Sequence, residues 1–199
     1  MECFRNIFLI ISLLFLFFAC FSYAQEQNDL KEIVLKAIEE TSNFAAFTLL
    51  DEYGKSKCDY NITEGKWYEY EAPWHTGQII NALVESYKIT KNKAYLNEAI
   101  RAGNWWVSLL IKDHPKLKGM LNAIHGDGND NIVFATISDG TPGLFNLSKI
   151  TGDKKYAEVA TSAGEWMLEN MYVPEHKVFY DVVDPKTGEV MKEKKSLLA

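Results

Sequence analysis

Apolar residues recur at three- and four-residue spacing through most of the chain, the pattern of amphipathic helices. From Asn28 to about Leu50 one stripe runs through Leu30, Ile33, Val34, Ala37, Ile38, Thr41, Phe44 and Ala45, with Lys31, Glu32, Lys36, Glu39 and Glu40 between them. A second helix is expected from Thr76 to Ile89, with Thr76 as N-cap and Ile80, Leu83, Val84 and Tyr87 inward. A third runs from Ala94 to about Lys112 on Tyr95, Ala99, Ala102, Trp106 and Leu109, and His114-Pro115 ends it. A fourth starts at Ser138 or Thr141 and reaches Ile150, because Pro142 is tolerable only in a first turn. A fifth, from Lys154 to about Tyr172, carries Tyr156, Val159, Ala160, Ala163, Trp166 and Met167. Residues 54–75 and 116–136 read as long loops, and loops of that length in a compact domain are usually functional. Val178–Val183, the turn Asp184–Gly188 and Glu189–Met191 read as a short β-hairpin.

The helices repeat. A shift of 61 residues places Ile89-Thr90-(x2)-Lys93-(x)-Tyr95 on Ile150-Thr151-(x2)-Lys154-(x)-Tyr156 without a gap. Leu83, Lys88, Ala99, Ala102, Gly103 and Trp105 likewise fall on Leu144, Lys149, Ala160, Ala163, Gly164 and Trp166. The unit is long loop, helix, tight turn, helix. Such a hairpin cannot bury both apolar faces alone, so the units must stack. The fold class is therefore all-α, built of helical hairpins, with the short C-terminal β-hairpin appended.

Composition narrows the setting. Residues 1–24 read as a signal peptide: Arg5, twelve apolar-run residues from Ile7 to Phe18, and Ser22-Tyr23-Ala24 as a small-x-small cleavage site before Gln25. The run is short for a membrane span. A lipid anchor at Cys20 competes with plain secretion, since Ala19-Cys20 fits a lipoprotein signal. Secretion, into the periplasm or the medium, is the expected localisation. The net charge of −6 and the lack of a basic stripe argue against nucleic acid as a partner. Cys58, alone after cleavage, makes no internal disulfide and no zinc site, and is expected to be a small residue in a loop.

Tight turns gather at one end of the hairpins and long loops at the other, so candidate chemistry belongs to the loop end. There Tyr70-Glu71-Ala72-Pro73-Trp74-His75 and Ser138-Asp139-Gly140 stand at helix mouths whose free amides favour anions. Asp139 is a candidate acid or base if aromatic neighbours desolvate it, or else a helix cap. His75 could act as base or bind a carboxylate, or be packed beside Trp74. Trp67, Tyr68, Tyr70 and Trp74 are candidate stacking platforms, or else fold under their own loop, Glu71 is a second carboxylate, and His125, Asp127 and Asp130 are a polar loop on the same rim. Asp127-x-Asn129-x-Asn131 fails as a calcium loop, because Ile132 and Ser138 stand where Gly and Glu are required. No metal and no cofactor are expected.

The hairpins, and Ile150-Thr151-Gly152-Asp153-Lys154-Lys155-Tyr156 in particular, resemble the six-hairpin (α/α) toroids of carbohydrate-active enzymes. The similarity is greatest to unsaturated glucuronyl and rhamnogalacturonyl hydrolases, and looser to glucuronyl epimerases and sugar 2-epimerases. It implies an incomplete (α/α)6 toroid over residues 25–199, corresponding to the N-terminal part of such an enzyme. It also implies proton-driven hydrolysis of a uronic-acid-containing oligosaccharide, with an epimerase or a non-catalytic glycan-binding remnant as the alternatives. In those hydrolases the carboxylate lies about one turn from the Asp139 position, at what is Thr136 here. An open arc of hairpins would expose apolar surface and favour a homodimer. Mass spectrometry of the secreted chain should find Gln25 as its first residue; retention of residues 20–24 behind a lipidated cysteine would select the anchored form.

Overall fold

The computed structural model describes residues 29–68, 70–126 and 128–193. The signal segment, Cys20 and Asp127 fall outside them. Five helices dominate: α1 (residues 29–44, continued by a π-helical turn Ala45–Leu49), α2 (Ala72–Thr90), α3 (Lys93–Ser108), α4 (Phe134–Thr151) and α5 (Lys155–Asn170). The chain divides into two units at Thr41/Ser42. In the first unit the expected apolar stripe does not become core: Leu30, Ile33 and Val34 are exposed. In the second, the inward faces expected of α3 and α5 are buried almost residue for residue, with Trp106, Tyr95 and Tyr156 the largest fully enclosed side chains.

The repeat holds to the level of single hydrogen bonds. Thr90 and Thr151 each return their hydroxyl to the carbonyl four residues back, at 2.8 and 2.7 Å. Lys91 and Gly152 both take the left-handed conformation that ends a helix (φ 60° and 76°). Asn92 Oδ1 then accepts from Ala94 N–H at 3.0 Å, as Asp153 Oδ1 accepts from Lys155 N–H at 3.1 Å. Tyr95 donates to Asn43 Oδ1 at 3.1 Å, and Tyr156 donates to Asn104 Oδ1 at 3.0 Å, again 61 residues on. Each tyrosine locks one helix end to the preceding hairpin.

Helices α2 and α4 make the closest crossing. A Cβ on Gly77 would stand 2.3 Å from Gly140 Cα, and one on Gly143 would stand 2.4 Å from the Gly77 carbonyl oxygen. Trp106 of α3 closes the crossing from behind. Its ring lies against Gly140, and its indole N–H donates to Pro73 O at 2.8 Å. Further along, Asn146 Nδ2 donates to Asn81 Oδ1 at 2.6 Å.

Three helix ends differ from those expected. α2 begins at Ala72, one turn before Thr76. Pro73 sits in its first turn, where a missing N–H is harmless. Thr76 is thus inside the helix and buried; its hydroxyl donates to Ala72 O and accepts Ser56 N–H. α4 begins at Phe134, so Pro142 lies within it. The carbonyl that Pro142 cannot serve, that of Ser138, accepts the Thr141 hydroxyl instead at 3.2 Å. α3 ends at Ser108, before Lys112, because residues 109–122 fold back on themselves through Ile111 N–H to Met120 O and Asn122 N–H to Leu109 O.

The long loops also hold short strands. β1 (Tyr60–Asn61) pairs antiparallel with β2 (Lys66–Trp67). β3 (Ile124–Gly126) pairs with β4 (Asn129–Val133), and β4 with β7 (Val182–Val183), in a three-stranded sheet with Ile132 opposite both Ile124 and Val183. β5 (Tyr172–Val173) pairs with β6 (Val178–Phe179), so the expected strand 178–183 is split in two. The terminal hairpin is present from Val182 to Met191, its turn tied by Asp184 Oδ1 to the Lys186 and Thr187 amides.

The crossing makes a stability prediction. Gly77→Ala or Gly140→Ala must push backbone or the Trp106 ring aside, and should lose about 1–3 kcal/mol or more in urea unfolding followed by circular dichroism. Gly164→Ala, in α5 with no heavy atom within 4 Å of the added carbon, should gain about 0.5–1 kcal/mol.

Candidate active site

The loop before α2, the first turn of α2 and strand β3 converge on one carboxylate. Glu71 occupies the N-cap position of α2 in left-handed conformation (φ 48°, ψ 22°), which costs a non-glycine residue about 1–2 kcal/mol. Neighbours hold it there. Its amide donates to His125 O, its carbonyl accepts His75 N–H at 3.1 Å, and Tyr70 beside it bridges to Gly126. Backbone strain maintained by surrounding contacts is a mark of functional positions.

The Glu71 carboxylate stands between two imidazoles. Oε1 is 3.1 Å from His125 Nδ1, an ion-pair distance without the alignment of a hydrogen bond, and Oε2 is 3.9 Å from His75 Nε2. All three side chains are largely but not wholly enclosed, Glu71 being 19% exposed. His75 Nε2 also meets Cys58 Sγ at 3.0 Å. Burial pushes the Cys58 thiol above its ordinary value, so the sulfur holds its proton. Tyr70 donates to Asp59, which raises the phenol well above its usual range, and its ring lies 5.9 Å from the His125 ring. Carboxylate and imidazole are the side chains most often used to pass protons to and from a bound ligand, and three of them meet here.

Two cavities flank this cluster. One, of about 220 Å³, is lined by Lys55, Tyr70, Pro73, Trp105, Asn122 and His125. The other, of about 330 Å³, is lined by Lys57, Cys58, Asp59, His75, Gln78 and Ile79.

Of the residues singled out from the sequence, Glu71, His75, His125, Tyr70 and Trp74 come together. The Trp74 ring stacks on His75 at 5.4 Å, and its indole nitrogen is buried without a hydrogen-bond partner among the described residues. Trp67 stands apart on β2, packed against Tyr60 with Lys57 over its ring. Asp130 is exposed on β4. Asp139 is the sixth residue of α4, exposed, with Ser138 Oγ 3.4 Å away. It is therefore neither a helix cap nor enclosed by aromatics, because α4 starts earlier than Pro142 suggested. Thr136 is buried. Among the described residues no group of three His, Cys, Asp or Glu side chains is arranged to hold a metal ion. Cys58, Asp59 and Trp105 join the site without having been expected there. Only Trp105 had a sequence signal, its place in the repeated Ala-x-x-Gly-x-Trp pattern. Cys58 looked like loop filler but is buried against His75.

No family model and no curated protein matches the sequence. Solved structures do match. A sugar epimerase from a ruminal bacterium aligns with a TM-score of 0.61 at 14% identity, over 82% of this chain and 43% of that one. A D-mannose isomerase aligns with a TM-score of 0.61 at 14% identity, over 78% and 42%. A GH76 α-mannanase of Bacteroides thetaiotaomicron aligns with a TM-score of 0.52 at 20% identity, over 62% and 34%. The chain spans less than half the length of each. The fold is that of helical hairpins from an α/α toroid, as the repeat and the Thr-Gly-Asp turn implied.

The buried thiol gives a pH dependence with a definite sign. Folding raises the Cys58 pKa, so above about pH 8.5 the unfolded chain loses this proton first and stability falls until the folded thiol ionises too. Urea unfolding from pH 8 to 10 should show wild type losing stability more steeply than Cys58→Ser, whose hydroxyl does not titrate there.

Proposed function

We propose that the chain is a sugar-processing protein in which Glu71, between His75 and His125, transfers protons to and from a bound carbohydrate. The observation that carries this is the Glu71 carboxylate 3.1 Å from one imidazole and 3.9 Å from another, beside a cavity walled by Trp105 and Tyr70. Aromatic faces of this kind suit sugar rings. Fold neighbours named as an epimerase, an isomerase and a mannanase support carbohydrate as the substrate class. Epimerisation or isomerisation fits the paired imidazoles best. Epimerisation removes a proton from the carbon next to a carbonyl and returns one to the opposite face of the same carbon; isomerisation returns it to the former carbonyl carbon while a hydroxyl proton passes to the carbonyl oxygen, and neither changes the atom count.

A second reading is hydrolysis of an unsaturated glucuronyl end in a uronic-acid oligosaccharide. Lys55 and His125 on one cavity wall favour it, since both can meet a carboxylate; its proton donor would be Asp139, which the sequence singles out although it is exposed on α4 and lines neither cavity. The apolar segment before Ala24 supports an extracytoplasmic setting for either reaction. Among the described residues no helix is long and apolar enough to cross a membrane.

One experiment separates these reactions. The protein is incubated in D2O with aldoses, ketoses and N-acylated hexosamines and followed by proton NMR, and in parallel with unsaturated uronic disaccharides followed by loss of alkene absorbance. The first reading expects deuterium at a single carbon, with Glu71→Gln about 10²–10⁴-fold slower and Asp139→Asn unchanged. Alkene loss abolished by Asp139→Asn would instead establish the hydrolase. Binding without either reaction would leave a glycan-binding protein.

A further inference from the structure

Among the groups around Glu71, Cys58 has no part in the proton transfer just described, yet it makes the shortest contact to His75. The ring nitrogen Nε2 has two neighbours of opposite character. The Cys58 sulfur, at 3.0 Å, can donate a proton; the Glu71 Oε2, at 3.9 Å, can only accept one and is beyond hydrogen-bond distance. If Nε2 carried hydrogen, its close partner would be a sulfur, a weak acceptor. If Nε2 is bare, the thiol hydrogen has a good acceptor and the contact is satisfied. Burial of Cys58 keeps its proton on the sulfur, which agrees with the second arrangement. Glu71 meanwhile has a nearer imidazole neighbour in His125, at 3.1 Å. The other charged side chains on the cavity beside His75, Asp59 and Lys57, come from the same loop as Cys58 and are of opposite sign.

We propose that Cys58 is a positioning residue whose thiol donates to Nε2 of His75 and holds that imidazole as the Nδ1–H tautomer, leaving His125 as the partner of Glu71. The two histidines are then unequal. His75 carries its donor hydrogen on Nδ1, while His125 presents its Nδ1 to the carboxylate. This assignment deepens the proton-transfer reading, on which its functional meaning rests, but its measurement does not depend on turnover.

The test uses the full chain with nitrogen-labelled histidine and long-range nitrogen–proton correlation spectra above the histidine titration range, His75 being assigned by its loss in His75→Gln. Wild type should show Nδ1 with the shift of a protonated ring nitrogen and Nε2 with that of a bare one. Cys58→Ala should move His75 to the Nε2–H form, and Cys58→Ser, which can still donate, should keep the wild-type pattern. Nε2–H in the wild-type spectrum overturns the proposal, and so does an unchanged tautomer in a folded Cys58→Ala. Should that variant not fold, the wild-type spectrum decides alone. A correct tautomer in a protein that turns over no sugar would overturn only the enzymatic reading.

Discussion

The crossing of α2 and α4 at Gly77, Gly140 and Gly143 is the constraint on which the rest of this structure depends. With no side chain at these positions the helix backbones touch, and the added-carbon distances of 2.3–2.4 Å leave room for no other residue. Close contact lets the Trp106 ring of α3 reach Gly140 while its indole hydrogen reaches Pro73 O. One indole thus fixes both the spacing of two helices and the first turn of α2.

That first turn is where the candidate chemistry sits. Pro73 is held by Trp106, Glu71 by the His125 carbonyl, and Thr76 by the Ser56 amide. Three separate segments, namely α3, strand β3 and the loop before β1, therefore converge on six residues of chain. Site residues carried on a helix start that is tied from several directions lose little order when a ligand arrives, which is the physical basis of preorganisation. The strained backbone of Glu71 is tolerable because these ties outweigh it.

The helical layer was legible in the sequence because its signals are local and periodic. The apolar faces of α3 and α5 follow from 3.6-residue spacing, and the Thr-Gly-Asp turn follows from side chains that bond their own backbone. The Asn43 to Tyr95 and Asn104 to Tyr156 bonds extend the same 61-residue period. Helix starts were less legible. Pro142 suggested a beginning, but a neighbouring threonine hydroxyl satisfies the freed carbonyl, so the helix runs through it and Asp139 moves away from the mouth. The strands β3 and β4 escaped notice because their short hairpin is irregular in register, and the partner that completes their sheet, β7, lies about 50 residues further on, a pairing that no local pattern encodes. The site was half legible for the same reason. Glu71, His75 and Trp74 are neighbours in sequence and His125 belongs to a loop the repeat assigns to the same rim, whereas Cys58 and Trp105 reach them only through tertiary contacts.

Gly103 has one more consequence. Its missing side chain makes the seat for the Tyr156 ring and the Leu147 side chain: an added carbon there would stand 2.3 Å from Leu147 and 3.0 Å from Tyr156. Gly164 holds the same place one period later, and nothing lies within 4 Å of it. On α3 Gly103 is therefore a notch that the tyrosine of the next hairpin fills. The geometry acts like a ratchet pawl: where that notch falls sets how closely Leu147 of α4 and Tyr156 of α5 can approach α3.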